Sequence, residues 1–185
     1  MQKKNTPLHL PEGTFYVDVL TYDNSDRAFL KKVYTNWRSL CSDLAELESR
    51  GVNLPEGLSE ASFCLEMNTV RVIGGISGAN SSFDCYNPKT TERIQVKACS
   101  VIPDLTSFGP KSEWDKIYFV DFFRQGKWDG SFDIYLIDNS DIYNYPVNAG
   151  QTLKDQQLEG RRPRFSIWDG IIKRKGLKPV KTGML

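Results

Sequence analysis

The chain has 185 residues, 39% hydrophobic and 25% charged, with 24 Lys and Arg against 23 Asp and Glu. A chain of that length and composition can bury roughly 70% of its unfolded surface as one globular domain. Its net charge of +1 gives no general affinity for nucleic acid. Any DNA-binding surface must therefore come from clustered cations, with the acids held elsewhere or neutralised by metal.

Cys41, Cys64, Cys85 and Cys99 are spaced 23, 21 and 14 residues apart and form no CxxC pair. No secretory signal or membrane-length apolar run accompanies them, so reduced, buried thiols in a cytoplasmic protein are expected. The only histidine is His9, in a polar stretch from Met1 to Pro11 that is expected to be loose. This argues against Ser-His-Asp hydrolysis, His-ligated zinc and a histidine general base. Chemistry would have to rest on carboxylates, amides, lysine and a hard metal ion.

In chain order, Asp26 to Arg50 reads as a long helix. Phe29, Leu30, Val33, Trp37, Leu40, Leu44 and Leu47 recur at helical spacing, with Ser25 or Asp26 as cap. A second helix is predicted from Ser59 to about Met67, followed by a Gly74–Gly78 loop. Ser81–Tyr86 and Thr91–Ala98 read as an antiparallel hairpin around Asn87-Pro88-Lys89-Thr90. Lys116–Phe123 and Phe132–Ile137 read as central strands, Thr152–Leu158 as a short helix, and Arg164–Trp168 as extended. A basic tail spans Lys173 to Lys181. The pattern predicts an α/β domain with a central mixed sheet flanked by helices. Within it, residues 1–57 form a helical accessory part, 58–168 a catalytic core and 169–185 a basic C-terminal segment.

Along Arg93-Ile94-Gln95-Val96-Lys97-Ala98 the apolar residues alternate with Arg93, Gln95 and Lys97. Gln95 and Lys97 therefore leave the strand on one side. Pairing Tyr86 with Thr91 sets Asp84 opposite Arg93 and puts Asp84, Gln95 and Lys97 on a common face, which a one-residue slip would destroy. An acid, an amide and an amine so gathered suit phosphodiester hydrolysis. Asp84, the Gln95 side-chain oxygen and the Val96 carbonyl would serve as ligands to Mg²⁺. Lys97 would orient the attacking water and oppose charge in the transition state. In the preceding helix, Glu66 falls with Ser59 and Ser62 on a polar stripe, whereas Glu60 falls among Phe63, Cys64 and Met67. A carboxylate on a buried side needs a partner, and a metal at the hairpin would be one, so Glu60 joins the candidate site.

With these residues in view, the chain resembles the PD-(D/E)xK nuclease superfamily, and within it small type II restriction endonucleases. The resemblance rests on Ser82-Phe83-Asp84-Cys85, on Gln95-Val96-Lys97 and on Glu60. Ser107-Phe108-Gly109-Pro110, Trp114-Asp115 and Gly160-Arg161-Arg162-Pro163-Arg164-Phe165-Ser166-Ile167 look more narrowly like the small family that cuts GCNGC. It implies a restriction-endonuclease-like core, Mg²⁺-dependent cleavage of double-stranded DNA leaving 5′-phosphates, a homodimer on a palindromic site, and a cognate DNA methyltransferase as genetic partner. Gln95 stands where the family has Asp or Glu, and Phe83 where it has proline. Arg161, Arg162 and Arg164 are candidates for phosphate or guanine contacts, with Ser107 and Lys111 nearer the cleaved phosphate. A structure-specific repair or recombination nuclease and a non-catalytic DNA-binding relative remain as alternatives.

Overall fold

The computed structural model describes residues 1–185, the side chain of Gln125 excepted. The first 21 residues are not loose. β1 (Gln2–Leu10) and β2 (Gly13–Thr21) form an antiparallel hairpin in continuous register from Gln2↔Thr21 to Leu10↔Gly13. β1 hides only Leu8 and Leu10, and its other positions are polar or exposed, as suits the outermost strand of a sheet. His9 is fixed there, its N–H donating to the Tyr86 hydroxyl at 3.0 Å.

α1 (Arg27–Glu46) starts after a 3₁₀ turn, Asn24–Asp26, whose N-cap is Asp23 in a capping box with Asp26. The helix is shorter at both ends than its apolar periodicity suggests. It buries Leu30, Tyr34 and Trp37 and leaves Phe29, Leu40 and Leu47 exposed. α2 (Glu56–Met67) is buried nearly all round, from Leu58 to Leu65. Ser59 and Ser62 therefore do not lie on a solvated stripe. Their hydroxyls donate back to the carbonyls of Glu56 and Leu58 at 2.9 and 2.8 Å. Glu66 is held by Arg27 at 2.8 Å.

β3 (Val70–Val72), β4 (Cys85–Asn87), β5 (Glu92–Cys99) and β6 (Thr106–Ser107) follow. β7 (Lys116–Asp121), β8 (Ser131–Ile137) and α3 (Asn139–Tyr143) come next. β9 (Pro146–Asn148), β10 (Gln151–Thr152), α4 (Leu153–Leu158), β11 (Arg164–Phe165) and β12 (Lys181–Met184) complete the chain. The main sheet has eight strands in the order β1-β2-β3-β4-β5-β7-β8-β12. Only β5 and β7 run parallel. The hairpin thus extends the sheet beside β3, β4 and β5, and the basic tail is no free tail: helical turns from Trp168 to Lys175 lead into an edge strand against β8.

Strand alternation divides the interior. Ile94, Val96, Val120, Phe122, Phe132 and Ile134 face α1 and α2, with Phe63, Trp37 and Leu58. Phe119, Tyr135, Ile137 and Ile117 face Phe108, Ile142, Leu153, Phe165 and Ile171 on the other side. Leu8, Val17, Val19, Phe83 and Tyr86 form a smaller cluster under the N-terminal hairpin. Cys64, Cys85 and Cys99 are buried free thiols, and Cys41 is half-buried.

Candidate active site

The hairpin joining β4 and β5 differs in register from its sequence expectation. Cys85 pairs with Ile94, Tyr86 with Arg93 and Asn87 with Glu92, so Asp84 comes beside Gln95 rather than Arg93. The displacement is two residues, an even number, and every side chain keeps its face. Thr91 closes the turn with φ 58°, and its N–H donates to the Asn87 carbonyl at 2.8 Å.

Asp84 Oδ2 accepts hydrogen bonds from the Val96 N–H at 2.8 Å and from the Gln95 amide. Oδ1 accepts none among the described residues. Backbone groups on alternate residues point to one strand edge. The Val96 carbonyl therefore shares its edge with the Ile94 carbonyl, which accepts from Asp84 N–H at 3.0 Å. The Lys97 ammonium lies over the Phe108 ring, 5.6 Å from its centroid. Phe108 stacks on Phe165, and Phe165 on Tyr145.

Glu60, Asp84, Gln95, Val96 and Lys97 all line one groove of about 460 Å³. One wall is the segment Asn53–Glu60, and the other is Ser100–Ser107. Glu60 is buried, and its partner is Arg71 of β3, which sequence reasoning did not single out. Lost hydration, then the negative charge of Asp84, push the Glu60 carboxyl up to about 7, with Arg71 pulling the other way. Burial also raises Asp84, opposed by the Val96 N–H and the Lys97 charge. Both shifts come first from burial, which further positive charge beside the carboxylates would offset.

A hard divalent cation would supply that charge. Among the described residues no group of three or more His, Cys, Asp and Glu converges as a metal cage. The donors are two carboxylates supplemented by the Gln95 amide oxygen and the Val96 carbonyl. Mg²⁺ commonly binds through one or two carboxylates and retains waters, and this all-oxygen set fits it.

The remaining candidates divide. Ser107 lines the groove, has a buried hydroxyl with no partner among the described residues, and pairs across β6–β11 with Arg164. Lys111 lies outside the groove lining, and its carbonyl accepts from Asn80 and Ser82. Arg161 pairs with Glu159 at 3.1 Å, and Arg161, Arg162 and Arg164 are exposed. Asp104 was also overlooked. Buried in the groove wall, it accepts from Thr106 Oγ1 at 2.6 Å, Ser166 Oγ at 2.7 Å, and the N–H groups of Ile167 and Trp168 at 3.0 Å. It thereby fastens the segment after Arg164 to the loop after β5.

Residues 22–174, which include the whole groove, match the family model described as Bsp6I restriction endonuclease. The chain belongs to that family. It is also 36% identical over 166 residues to the type II restriction enzyme Bsp6I of Bacillus sp. (strain RFL6), covering 88% of this chain and 90% of the relative. No solved structure matches it. Family membership makes the protein a type II site-specific endonuclease. No helix among the described residues is long and apolar enough to cross a membrane.

Proposed function

We propose that this endonuclease hydrolyses phosphodiester bonds of double-stranded DNA through a PD-(D/E)xK-type centre, with Mg²⁺ held by Glu60, Asp84, Gln95 and the Val96 carbonyl. The observation that carries the reading is the convergence of Asp84, Gln95 and Lys97 with Glu60 on one open groove. A bound magnesium ion supplies positive charge against the negative charge developing on the phosphate.

The protein's own residues do the rest. Lys97, held against Phe108, hydrogen-bonds the attacking water and opposes charge on the phosphoryl oxygens. Asp84 is fixed by two donors on one oxygen, so its other oxygen is left for the cation. Arg164, beside Ser107 on the wall, guides the strand toward Lys97, while Arg161 and Arg162 add outer contacts. The reading extends to 5′-phosphate products, a short GC-containing site of the form GCNGC, a homodimer matching a palindromic target, and a partner methyltransferase.

The test is a plasmid digest with Mg²⁺ or with EDTA. The wild type should yield a defined fragment ladder only with Mg²⁺. Lys97→Ala should bind the same DNA but cleave it at least about 100-fold more slowly. A Lys97→Ala enzyme that cuts at the wild-type rate would remove the proposed centre. Sequencing the fragment ends tests GCNGC and the position of the phosphate.

A further inference from the structure

Ten arginines occur in the chain. Arg27, Arg71, Arg93, Arg124 and Arg161 each pair with a carboxylate. Of the five without such a partner among the described residues, Arg50, Arg162, Arg164 and Arg174 are exposed, and only Arg38 is half-buried. Unpaired arginines are mostly exposed, so the half-buried position of Arg38 needs a reason.

That position is built by two indoles. The Arg38 guanidinium carbon lies 5.2 Å from the ring centroid of Trp37 and 4.5 Å from that of Trp128. Both rings are tied to the groove. Trp37 Nε1 donates to the Val52 carbonyl at 2.8 Å, immediately before the Asn53–Glu60 wall. Trp128 Nε1 donates to the Ser100 carbonyl at 2.9 Å, at the start of the opposite wall. Arg38 therefore lies outside the groove lining, between two rings that are each hydrogen-bonded to the beginning of a different wall. The rings hold its plane and satisfy none of its N–H donors, because π faces accept the charge but not directed hydrogen bonds. Exposed Lys127 adjoins Trp128 in sequence, and exposed Lys31 lies seven residues before Arg38 on the same stripe of α1.

We propose that Arg38, clamped between Trp37 and Trp128, binds a backbone phosphate of the DNA strand flanking the one that is cut. The inference rests on the endonuclease reading above. A planar fork with five donors, preorganised beside a groove whose floor carries Lys97, matches a phosphate diester better than a mobile lysine does. α1 is then part of the DNA-binding face rather than an accessory.

The experiment uses a fluorescein-labelled 30-base-pair duplex containing GCAGC, with EDTA present to prevent cleavage. Affinity is measured across a salt series for wild type, Arg38→Gln and Arg38→Lys, each below its own melting temperature. Arg38→Gln should bind about tenfold more weakly at about 100 mM salt, with the slope of log K against log salt smaller by about one. Arg38→Lys should fall between the two. In unaltered protein, the duplex should protect Arg38 from phenylglyoxal, read by mass spectrometry, so the result does not depend on any variant folding. Equal affinities and slopes, or Arg38 modification unaffected by DNA, would overturn the proposal. A wild type that binds no duplex containing GCAGC would instead overturn the proposed GCNGC site.

Discussion

Replacing Gln95 with glutamate introduces the carboxylate usual in a PD-(D/E)xK motif, yet the geometry predicts a weaker metal-free protein. The Gln95 amide now donates to Asp84 Oδ2, and Gln95 is buried. A carboxylate in its place turns a donor into a second negative charge against Asp84. At an effective dielectric of about 20, two such charges about 4 Å apart repel by about 4 kcal/mol. The alternative is to share a proton, which from a free glutamate pKa near 4.3 costs about 4 kcal/mol at about pH 7.5. Burial already raises the Asp84 carboxyl, which lowers the cost of such a shared proton, and the expected loss is about 2–4 kcal/mol. In a chain of this length that lowers Tm by about 6–12 °C. Melts of wild type and Gln95→Glu in EDTA should show the gap at about pH 7.5 and close most of it near about pH 5, where protonation costs only about 1 kcal/mol. Millimolar Mg²⁺ should narrow it at the higher pH, because the variant gains more from the cation. Equal stability in EDTA at the higher pH, or a gap indifferent to Mg²⁺, would refute the reasoning.

Gly183→Ala places a Cβ within 2.2–2.8 Å of the fully buried Phe132 ring, so urea denaturation should show a loss of about 1–3 kcal/mol and a weakened β12 edge. Asp104→Ala strips the acceptor from four donors and should cost about 3–5 kcal/mol, with amide protection at Ile167 and Trp168 lost first in hydrogen exchange; unchanged protection would contradict the clamp. The Glu60 carboxyl rises from 4.5 to about 7, so the folded state holds its proton more tightly than the unfolded state does. In EDTA, stability should fall by up to about 3 kcal/mol as pH climbs from about 4.5 to about 7 and level off above; Glu60→Gln should flatten that slope, and a wild-type profile rising over the same window would reverse the assigned sign.

The common face of Asp84, Gln95 and Lys97 was legible because period-two alternation survives an even register error. Asp84 moved from Arg93 to Gln95 without leaving its face. Glu60 was legible as a buried carboxylate in want of a partner, but its partner is Arg71, a residue that Val70 and Val72 flank on the neighbouring strand. That alternation was a readable signal. The N-terminal strand was not legible, since Leu8 and Leu10 are its only buried residues and Lys3, Lys4 and Pro7 read as part of a loose polar stretch. α2 misled for the opposite reason: serines that turn their hydroxyls onto their own helix can be buried without a polar neighbour. Asp104 and Arg38 take their meaning from contacts with segments up to 90 residues away, as the Arg38–Trp128 stack shows, and no local pattern records that.

The single parallel junction in the sheet has an evolutionary corollary. A chain leaving β5 cannot turn back directly into β7; it has to travel the length of the strand again before pairing. The return path, residues 100–115, is topologically obligatory, yet the pairing of β5 with β7 does not dictate what it contains. Outside the positions that Asp104 and Phe108 anchor, that span is therefore free to vary among relatives, and with it the surface offered to bases, while Asp84 and Lys97 stay where the hairpin holds them.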